Sequence, residues 1–168
     1  MTPVTIPSRR QSGFTLVELV TVILILGVLA AVALPRYADL QGKARESKVK
    51  AVAGSIKAAS GLAKASAMTN SVSCSGASTS ITMEGTTVAL NYCYPQALTS
   101  FSAGILGAAN VAAADGWQVQ TGTGGASGGT ALVLELADAA TPASCSISYT
   151  SAASASAPPL VSTTVTGC

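Results

Sequence analysis

A long apolar segment lies near the start of the chain, at residues 14–34. Between Leu16 and Leu34 the only polar side chains are those of Glu18 and Thr21. An α-helix rises about 1.5 Å per residue, so a helix of this length roughly matches the ~30 Å thickness of a hydrocarbon layer. The pattern therefore predicts that residues 14–35 form a helix that can span a membrane.

The helical pattern continues in amphipathic form over residues 36–67. Apolar side chains follow one stripe at helical spacing, at Val49, Val52, Ala53, Ile56, Ala59 and Ala63. Charged side chains occupy a broadly different face, at Glu46, Lys50, Lys57 and Lys64. Gly27 and Pro35 cost the helix up to about 1 and about 3 kcal/mol relative to Ala. We therefore expect one helix from Phe14 to Ala67, with a weak stretch between Gly27 and Pro35.

The remaining chain, residues 68–168, predicts a β-rich head. The strand candidates are residues 80–83, 86–92, 116–121, 130–136 and 144–150. Glu84 and Gly85 separate the first two candidates and favour a hairpin. The expected fold class is α+β, with the second half of the helix packed on an antiparallel sheet of about four strands.

Two parts of the head give weaker signals. In residues 95–110, Pro95 is suited to the start of a helix, but Gly104 and Gly107 weaken that prediction. The tail, residues 151–168, is nearly all Ser, Ala, Thr and Pro. It is too poor in apolar residues to hold itself in place, so we expect an irregular segment that needs a covalent tether.

Charge is distributed unevenly along the chain. All nine Lys and Arg residues lie at or before Lys64, and the chain beyond carries only the acids Glu84, Asp115, Glu135 and Asp138. Arg9 and Arg10 account for the formal net charge of +2. An acidic head argues against DNA binding by the head. It favours contact between the head and the basic part of the helix, within or between copies of the chain.

The chain contains no His, which removes the commonest general base and a common metal ligand. The usual Ser-His-Asp and Cys-His catalytic arrangements cannot be built from it. We therefore expect a protein that is not an enzyme and that needs no cofactor and no metal.

All four cysteines follow the apolar segment, at Cys74, Cys93, Cys145 and Cys168. Four cysteines without His indicate two disulfides formed in an oxidising compartment, and three connectivities are possible. We favour the sequential option, Cys74 with Cys93 and Cys145 with Cys168. The alternative, a site with four thiolates on one metal ion, lacks the usual spacing of two residues between paired cysteines.

Glu18 separates three interpretations of the apolar segment. These are a secretory signal peptide cut near Ala31 to Ala33, a plain membrane anchor, and a segment that passes from the membrane into a protein assembly. A carboxylate in the segment costs roughly 2.5 to 3.5 kcal/mol on insertion scales and benefits neither a signal peptide nor an anchor. Because no Lys or Arg lies in the segment, its partner must come from outside. This favours the third interpretation.

Residues 9–18, RRQSGFTLVE, carry a family resemblance. They resemble the processing signature of type IV prepilins, which include type IV pilus subunits and the pseudopilins of type II secretion. The resemblance implies that prepilin peptidase removes a leader, residues 1–13, by cutting between Gly13 and Phe14. It also implies N-methylation of the new terminal Phe14. Glu18 then becomes the fifth residue of the mature chain and pairs with the Phe14 amine of a neighbouring copy during assembly.

The resemblance also implies a fold and a function. It implies a pilin fold of the type IVa-like kind, in which residues 14–35 form the filament core and a disulfide-closed C-terminal loop lies on the surface. The expected protein is a major pilin that lies in the bacterial inner membrane as precursor and is polymerised by inner-membrane assembly machinery into a surface fibre. Such fibres serve adhesion, twitching motility, biofilm formation or DNA uptake. In the assembled fibre, the segment between Gly27 and Pro35 is expected to lose helical structure.

A pseudopilin of type II secretion, or a minor pilin, is the alternative within the same family. Major pseudopilins usually lack a cysteine-closed tail and carry a calcium site near the C-terminus. Here Glu135 and Asp138 are too few and too isolated to form an oxygen cage for calcium. The cysteines and the missing cage therefore favour a pilin.

Overall fold

The computed structural model describes residues 13–76 and 78–168. Most of the predicted leader, including Arg9 and Arg10, lies outside the described residues. The chain divides after Leu40 into two units, and the second, Gln41–Cys168, is called the globular unit below.

One long helix, α1, spans Leu16–Thr69 and includes Pro35. The predicted helix is confirmed, with its start two residues later and its end two residues later than expected. Beyond Thr69, Ser71 adopts a φ of 54°, and the Val72 N–H donates to the Ala67 carbonyl at 2.9 Å. A left-handed residue with such a returning hydrogen bond is a common way for a helix to end.

In its described residues, the globular unit contains seven strands and one short α-helix in addition to the second half of α1. The strands are β1 Thr79–Met83, β2 Thr86–Asn91, β3 Tyr94–Pro95, β4 Trp117–Val119, β5 Ala131–Leu136, β6 Ser146–Thr150 and β7 Leu160–Thr164. The short helix α2 spans Gly104–Ala108, and single 3₁₀ turns lie at Ala113–Asp115 and Pro142–Ser144. Strands β1 to β3 form one antiparallel sheet and β4 to β7 form another, each in sequence order. The expected α+β fold is confirmed, with its strand candidates divided between two sheets.

The predicted hairpin at Glu84 and Gly85 is present. Met83 of β1 faces Thr86 of β2, so the loop has two residues. Both loop residues have positive φ, 47° at Glu84 and 82° at Gly85. This is the backbone that a tight two-residue turn needs between twisted strands, and glycine adopts it without a steric penalty.

The main core lies between α1 and the four-stranded sheet. Alternate residues of β5, namely Leu132, Leu134 and Leu136, are at most 1% exposed. They pack in one cluster with Val49 and Ile56 of α1. A second, smaller cluster joins α1 to the three-stranded sheet through small helix residues, and it contains Ala63, Ala67, Ile81, Val88, Leu90 and Cys93. The apolar stripe predicted for α1 is therefore its packing face.

The tail differs from its prediction because Leu160–Thr164 forms an edge strand, β7, of the four-stranded sheet. The sequence signal is weak because only Leu160 and Val161 in this strand are apolar. Backbone pairing with β6 and packing of half-buried Val161 against the core hold the strand instead. The segment at residues 95–110 also differs, since Pro95 ends β3 and only Gly104–Ala108 is helical.

Candidate assembly site

The expected cleavage point lies just before α1. Gly13 and Phe14 have no regular secondary structure, and the Phe14 side chain is 85% exposed. The peptide bond between them is therefore exposed and lies outside any helix or strand. The roles of Gly13 and Phe14 in processing stay predictions.

Thr15 and Glu18 form a reciprocal cap at the start of α1. The Glu18 carboxylate accepts hydrogen bonds from the Thr15 N–H at 2.9 Å and from the Thr15 hydroxyl at 2.7 Å. The Glu18 N–H donates back to the Thr15 hydroxyl at 3.3 Å. This is a capping box, in which a Thr and a Glu three residues later satisfy each other's backbone donors. The sequence analysis missed it, although a Thr followed three residues later by Glu is its known signal.

The cap leaves the charge of Glu18 without a cation. Within residues 13–76 and 78–168, the structure shows hydrogen bonds from Thr15 to the carboxylate but no ion pair. A hydroxyl and one amide satisfy part of the carboxylate's hydrogen-bonding capacity, but they do not neutralise it. Glu18 remains available to a positively charged group from another molecule.

The apolar segment of α1 has no partner within the described chain. All of its large apolar side chains between Leu16 and Leu34 are exposed, from 44% at Val20 to 78% at Leu16. In the described residues, α1 is the one helix long and apolar enough to cross a membrane. The Thr21 hydroxyl donates within the helix to the carbonyls of Val17 and Glu18, at 2.9 and 3.0 Å, so it needs no outside partner. The exposed apolar surface of this segment suits a lipid environment or the packing of other apolar helices.

Gly27 and Pro35 both lie within the helical residues of α1. A Cβ atom added at Gly27 would meet nothing within 4 Å, so packing in this structure does not require a glycine there. The expected loss of helix between the two residues on assembly stays a prediction.

Both disulfides join sequential cysteines. Cys74 pairs with Cys93 and Cys145 pairs with Cys168, with Cα separations of 5.0 and 4.8 Å. This is the connectivity that the sequence analysis favoured. Cys168 is also held by Arg45 of α1, whose guanidinium donates to the Cys168 carbonyl at 3.3 Å. The Cys145–Cys168 bond and Arg45 thus both hold Cys168 against the globular unit.

The acids considered for a calcium cage have other contacts. Glu135 is only 8% exposed and accepts a hydrogen bond from the Gln118 amide at 3.2 Å. Asp138 lies 3.5 Å from the Arg45 guanidinium and forms an ion pair with it. Across residues 13–76 and 78–168, no group of three or more His, Cys, Asp or Glu side chains could hold a metal ion.

The start of the chain matches a known family profile. The prokaryotic N-terminal methylation motif matches residues 8–34, which include the expected cleavage point, Glu18 and Gly27. The resemblance to type IV prepilins is confirmed by this match and by the relatives below. Together with the long helix, the antiparallel sheets and the C-terminal disulfide, these similarities fit an α+β pilin fold.

The curated relatives match over about a quarter of this chain. The chain is 48% identical over 46 residues to the type IV narrow pilus major component PilA5 of Thermus thermophilus. The aligned segment covers 27% of this chain and 40% of that protein. It is 52% identical over 46 residues to the fimbrial protein EcpB of Eikenella corrodens, covering 27% and 29%. It is 54% identical over 43 residues to the type IV major pilin protein PilE1 of Neisseria gonorrhoeae, covering 26% of each chain.

The chain thus spans less than half the length of the relatives it matches. No solved structure matches it. The similarity supports the processing and assembly features of the N-terminal segment, whereas the architecture of the globular unit rests on the structure described here.

Proposed function

We propose that this chain is the precursor of a type IV pilin, the major subunit of a type IV pilus. Prepilin peptidase cuts between Gly13 and Phe14, and Phe14 is N-methylated. Before assembly, the apolar segment of α1 holds the subunit in the bacterial inner membrane. The assembly machinery of that membrane then moves the subunit into a helical homopolymer on the cell surface. Its role is structural and not enzymatic.

The unneutralised carboxylate of Glu18 carries this proposal. It lies in the first turn of a helix whose apolar surface is otherwise suited to lipid, where a charge costs a few kcal/mol unless it is paired. Cleavage before Phe14 creates an α-amino cation four residues away in sequence. On a neighbouring subunit that amine can pair with Glu18 in an apolar interior, and the pair then sets the axial register between helices. Apolar helices alone could slide past one another.

The fibre would serve the outputs expected from the resemblance, namely adhesion, twitching motility, biofilm formation or DNA uptake. The relatives named above as pilus components support a fibre, while none of those names specifies an output. Any DNA uptake would depend on DNA binding by other components, because all charged residues beyond Lys64 are acidic and would repel the phosphates of DNA.

Mass spectrometry of surface fibres tests processing and assembly together. Fibres sheared from cells should contain this chain as the most abundant protein, beginning at methylated Phe14. A mature protein that begins at Leu34 and is secreted as a soluble monomer would show that the segment is an export signal. If most of the chain stayed in the membrane and little of it were found in the fibres, the protein would instead be a minor pilin or a pseudopilin.

The capping box supplies a matched pair of variants for the role of Glu18. Glu18→Gln removes the charge but keeps a side chain that can cap the helix. Thr15→Val removes the capping hydroxyl but keeps the charge. We expect Glu18→Gln to be processed and inserted normally while losing most fibres, and Thr15→Val to form fibres near the normal yield. Equal fibre loss in both variants would assign Glu18 a capping role only and would contradict the proposed pairing.

A further inference from the structure

Most charged side chains of the globular unit have partners within the same molecule. Lys50 contacts the Glu46 carboxylate, and Arg45 pairs with Asp138. Lys48 donates to the Asp115 carbonyl and lies 5.7 Å from the centre of the Trp117 ring. Lys64 donates to the Tyr94 hydroxyl at 3.0 Å and lies over the same ring. The remaining unpaired charges are therefore few.

Lys57 and Glu84 are left without such contacts. In the described part of the globular unit, Lys57 is the one cation for which no ion pair, hydrogen bond or ring contact is present. The Glu84 carboxylate likewise has no ion pair or hydrogen bond among the described residues. Both side chains are exposed.

Lys57 lines a groove of about 300 Å³ between α1 and the edge strand β7. The opposite wall includes the exposed residues Ser162 and Thr163 of β7. A hydroxyl and an ammonium both donate hydrogen bonds to a carboxylate. Gly54 also lines the groove, and a Cβ atom built there would meet nothing within 4 Å. The groove is thus open and presents the donors that an incoming carboxylate requires.

The Glu84 side chain is exposed at a tight turn, as a group that enters a groove of another molecule must be. It occupies the two-residue turn between β1 and β2, next to exposed Gly85. Asp115 is the other exposed acid of the head without an ion pair, but Lys48 donates to its backbone and places a positive charge beside it. Glu84 lies beside Ala58 and Leu62 of α1 but has no cation partner among the described residues, so its charge is the better complement to Lys57.

We propose that the Glu84 turn of one subunit docks against the Lys57 groove of another subunit in the fibre. The inference rests on the proposed function, since it needs a polymer. The interface is heterologous, because each subunit contributes its turn to one neighbour and its groove to another. Such head-to-tail contacts generate open helical filaments when the rotation between neighbours does not close a ring. The charge pair specifies which faces meet, while the apolar helices supply the larger share of the association.

Zero-length carbodiimide cross-linking of purified fibres tests this contact directly. Fibres assembled from a mixture of ¹⁴N- and ¹⁵N-labelled subunits should yield a Glu84–Lys57 isopeptide that joins a light and a heavy peptide. Lys57→Arg keeps the positive charge but lacks the primary amine, so its fibres should form normally and lose the cross-link. Fibres in which only light–light and heavy–heavy products form would overturn the proposal, because the contact would then lie within one subunit.

A charge swap tests whether the contact contributes to assembly. In cells that also express the wild-type chain, Glu84→Lys and Lys57→Glu should each be depleted about two- to fivefold in fibres relative to the membrane pool, a range set by the modest strength of exposed ion pairs. A strain that produces only the doubly swapped chain should recover fibre yield relative to either single variant alone. Full yield from both single variants contradicts the interface. Absence of fibres from the wild-type chain would instead contradict the proposed function.

Discussion

At the scale of single residues, Glu18 has one observed role, in the helix cap, and one proposed role, in assembly. Its carboxylate caps α1 through Thr15, which explains why a charged residue is compatible with the first turn of an isolated helix. The cap provides hydrogen bonds but no positive charge. The sequence alone predicted that Glu18 has no cationic partner nearby, because no Lys or Arg lies in the apolar segment. It could have predicted the cap as well, since the Thr15 to Glu18 spacing is visible in it.

Tyr149 shows a residue whose importance depends on tertiary contacts. It is 1% exposed, and its hydroxyl donates to the Pro95 carbonyl at 2.7 Å, which ties β6 of one sheet to β3 of the other. Burial raises the pKa of Tyr149 well above its ordinary value. The alternating pattern of β6 predicts that Tyr149 faces inward, but the partner lies 54 residues away in sequence.

Tyr149→Phe should lower the free energy of unfolding of the mature chain in detergent by about 1 to 3 kcal/mol at neutral pH, because the buried Pro95 carbonyl loses its donor. Above about pH 10 the unfolded tyrosine ionises while the folded one does not. The stability of the wild-type chain should therefore fall with rising pH more steeply than that of the variant. Fluorescence of Trp117, the chain's single Trp, reports the unfolding because it is only 3% exposed.

Tyr92→Phe is the matched control for this measurement, because it removes a hydroxyl from a half-buried tyrosine of the same unit. If both variants changed the pH dependence of the unfolding free energy equally, ionisation of Tyr149 would not be the cause of that dependence.

At the scale of elements, α1 was predictable and β7 was not. The helix has strong internal signals, namely a long apolar segment interrupted only by Glu18 and Thr21, followed by a stripe at helical spacing. The bounds differ by two residues at each end because the Thr15 cap and the left-handed Ser71 set the termini. Strand β7 has two apolar residues of five, and it exists because β6 offers it a backbone edge. Pairing with a distant strand leaves no local pattern.

Gly27 and Pro35 make the first half of α1 a candidate for a helix-to-extended change on assembly. We expect a density map of the fibre to lack helical hydrogen bonds between these residues, although the single chain is helical there. The double variant Gly27→Ala and Pro35→Ala should stay helical in the fibre, because it removes penalties that sum to about 4 kcal/mol. A wild-type map with unbroken helix across the segment would show that assembly does not melt it.

At the scale of the whole molecule, the uneven charge distribution has a structural outcome within the globular unit. The sequence predicted contact between an acidic head and a basic helix. The structure confirms it through Arg45 with Asp138 and through Lys48 with the carbonyl of Asp115. Together with the contacts of Lys50 and Lys64, these contacts engage most of the cations on the globular part of α1 within one molecule. Lys57 is left for the contact between subunits proposed above.

The two disulfides should differ in what they hold, although their loops are of similar length, with sequence separations of 19 and 23. Replacing either pair by alanine should cost about 3 kcal/mol in the loop-entropy model. Only loss of Cys145–Cys168 should also speed amide hydrogen exchange across β7 and the residues after it, because that end is otherwise held by an edge pairing, by Arg45 and by two backbone hydrogen bonds of Gly167.

The Cys74→Ala, Cys93→Ala variant serves as the control, since it removes a bond on the side of the three-stranded sheet. If exchange in residues 160–168 proved equally slow in both variants and the wild type, strand pairing alone would hold the tail.

The sequence by itself determined the membrane-compatible helix, the packing stripe of α1, the Glu84 hairpin and the unpaired acid at Glu18. Each of these depends on residues that are close together in the chain, so periodicity, turn chemistry and local charge are enough to predict them. The tertiary structure decided that the strands divide into two sheets, that the tail supplies β7, and that Lys57 and Glu84 have no ion pair or hydrogen bond among the described residues. Those outcomes depend on which distant groups meet in space, because pairing between strands and burial of charges are set by long-range contacts that no short stretch of sequence encodes.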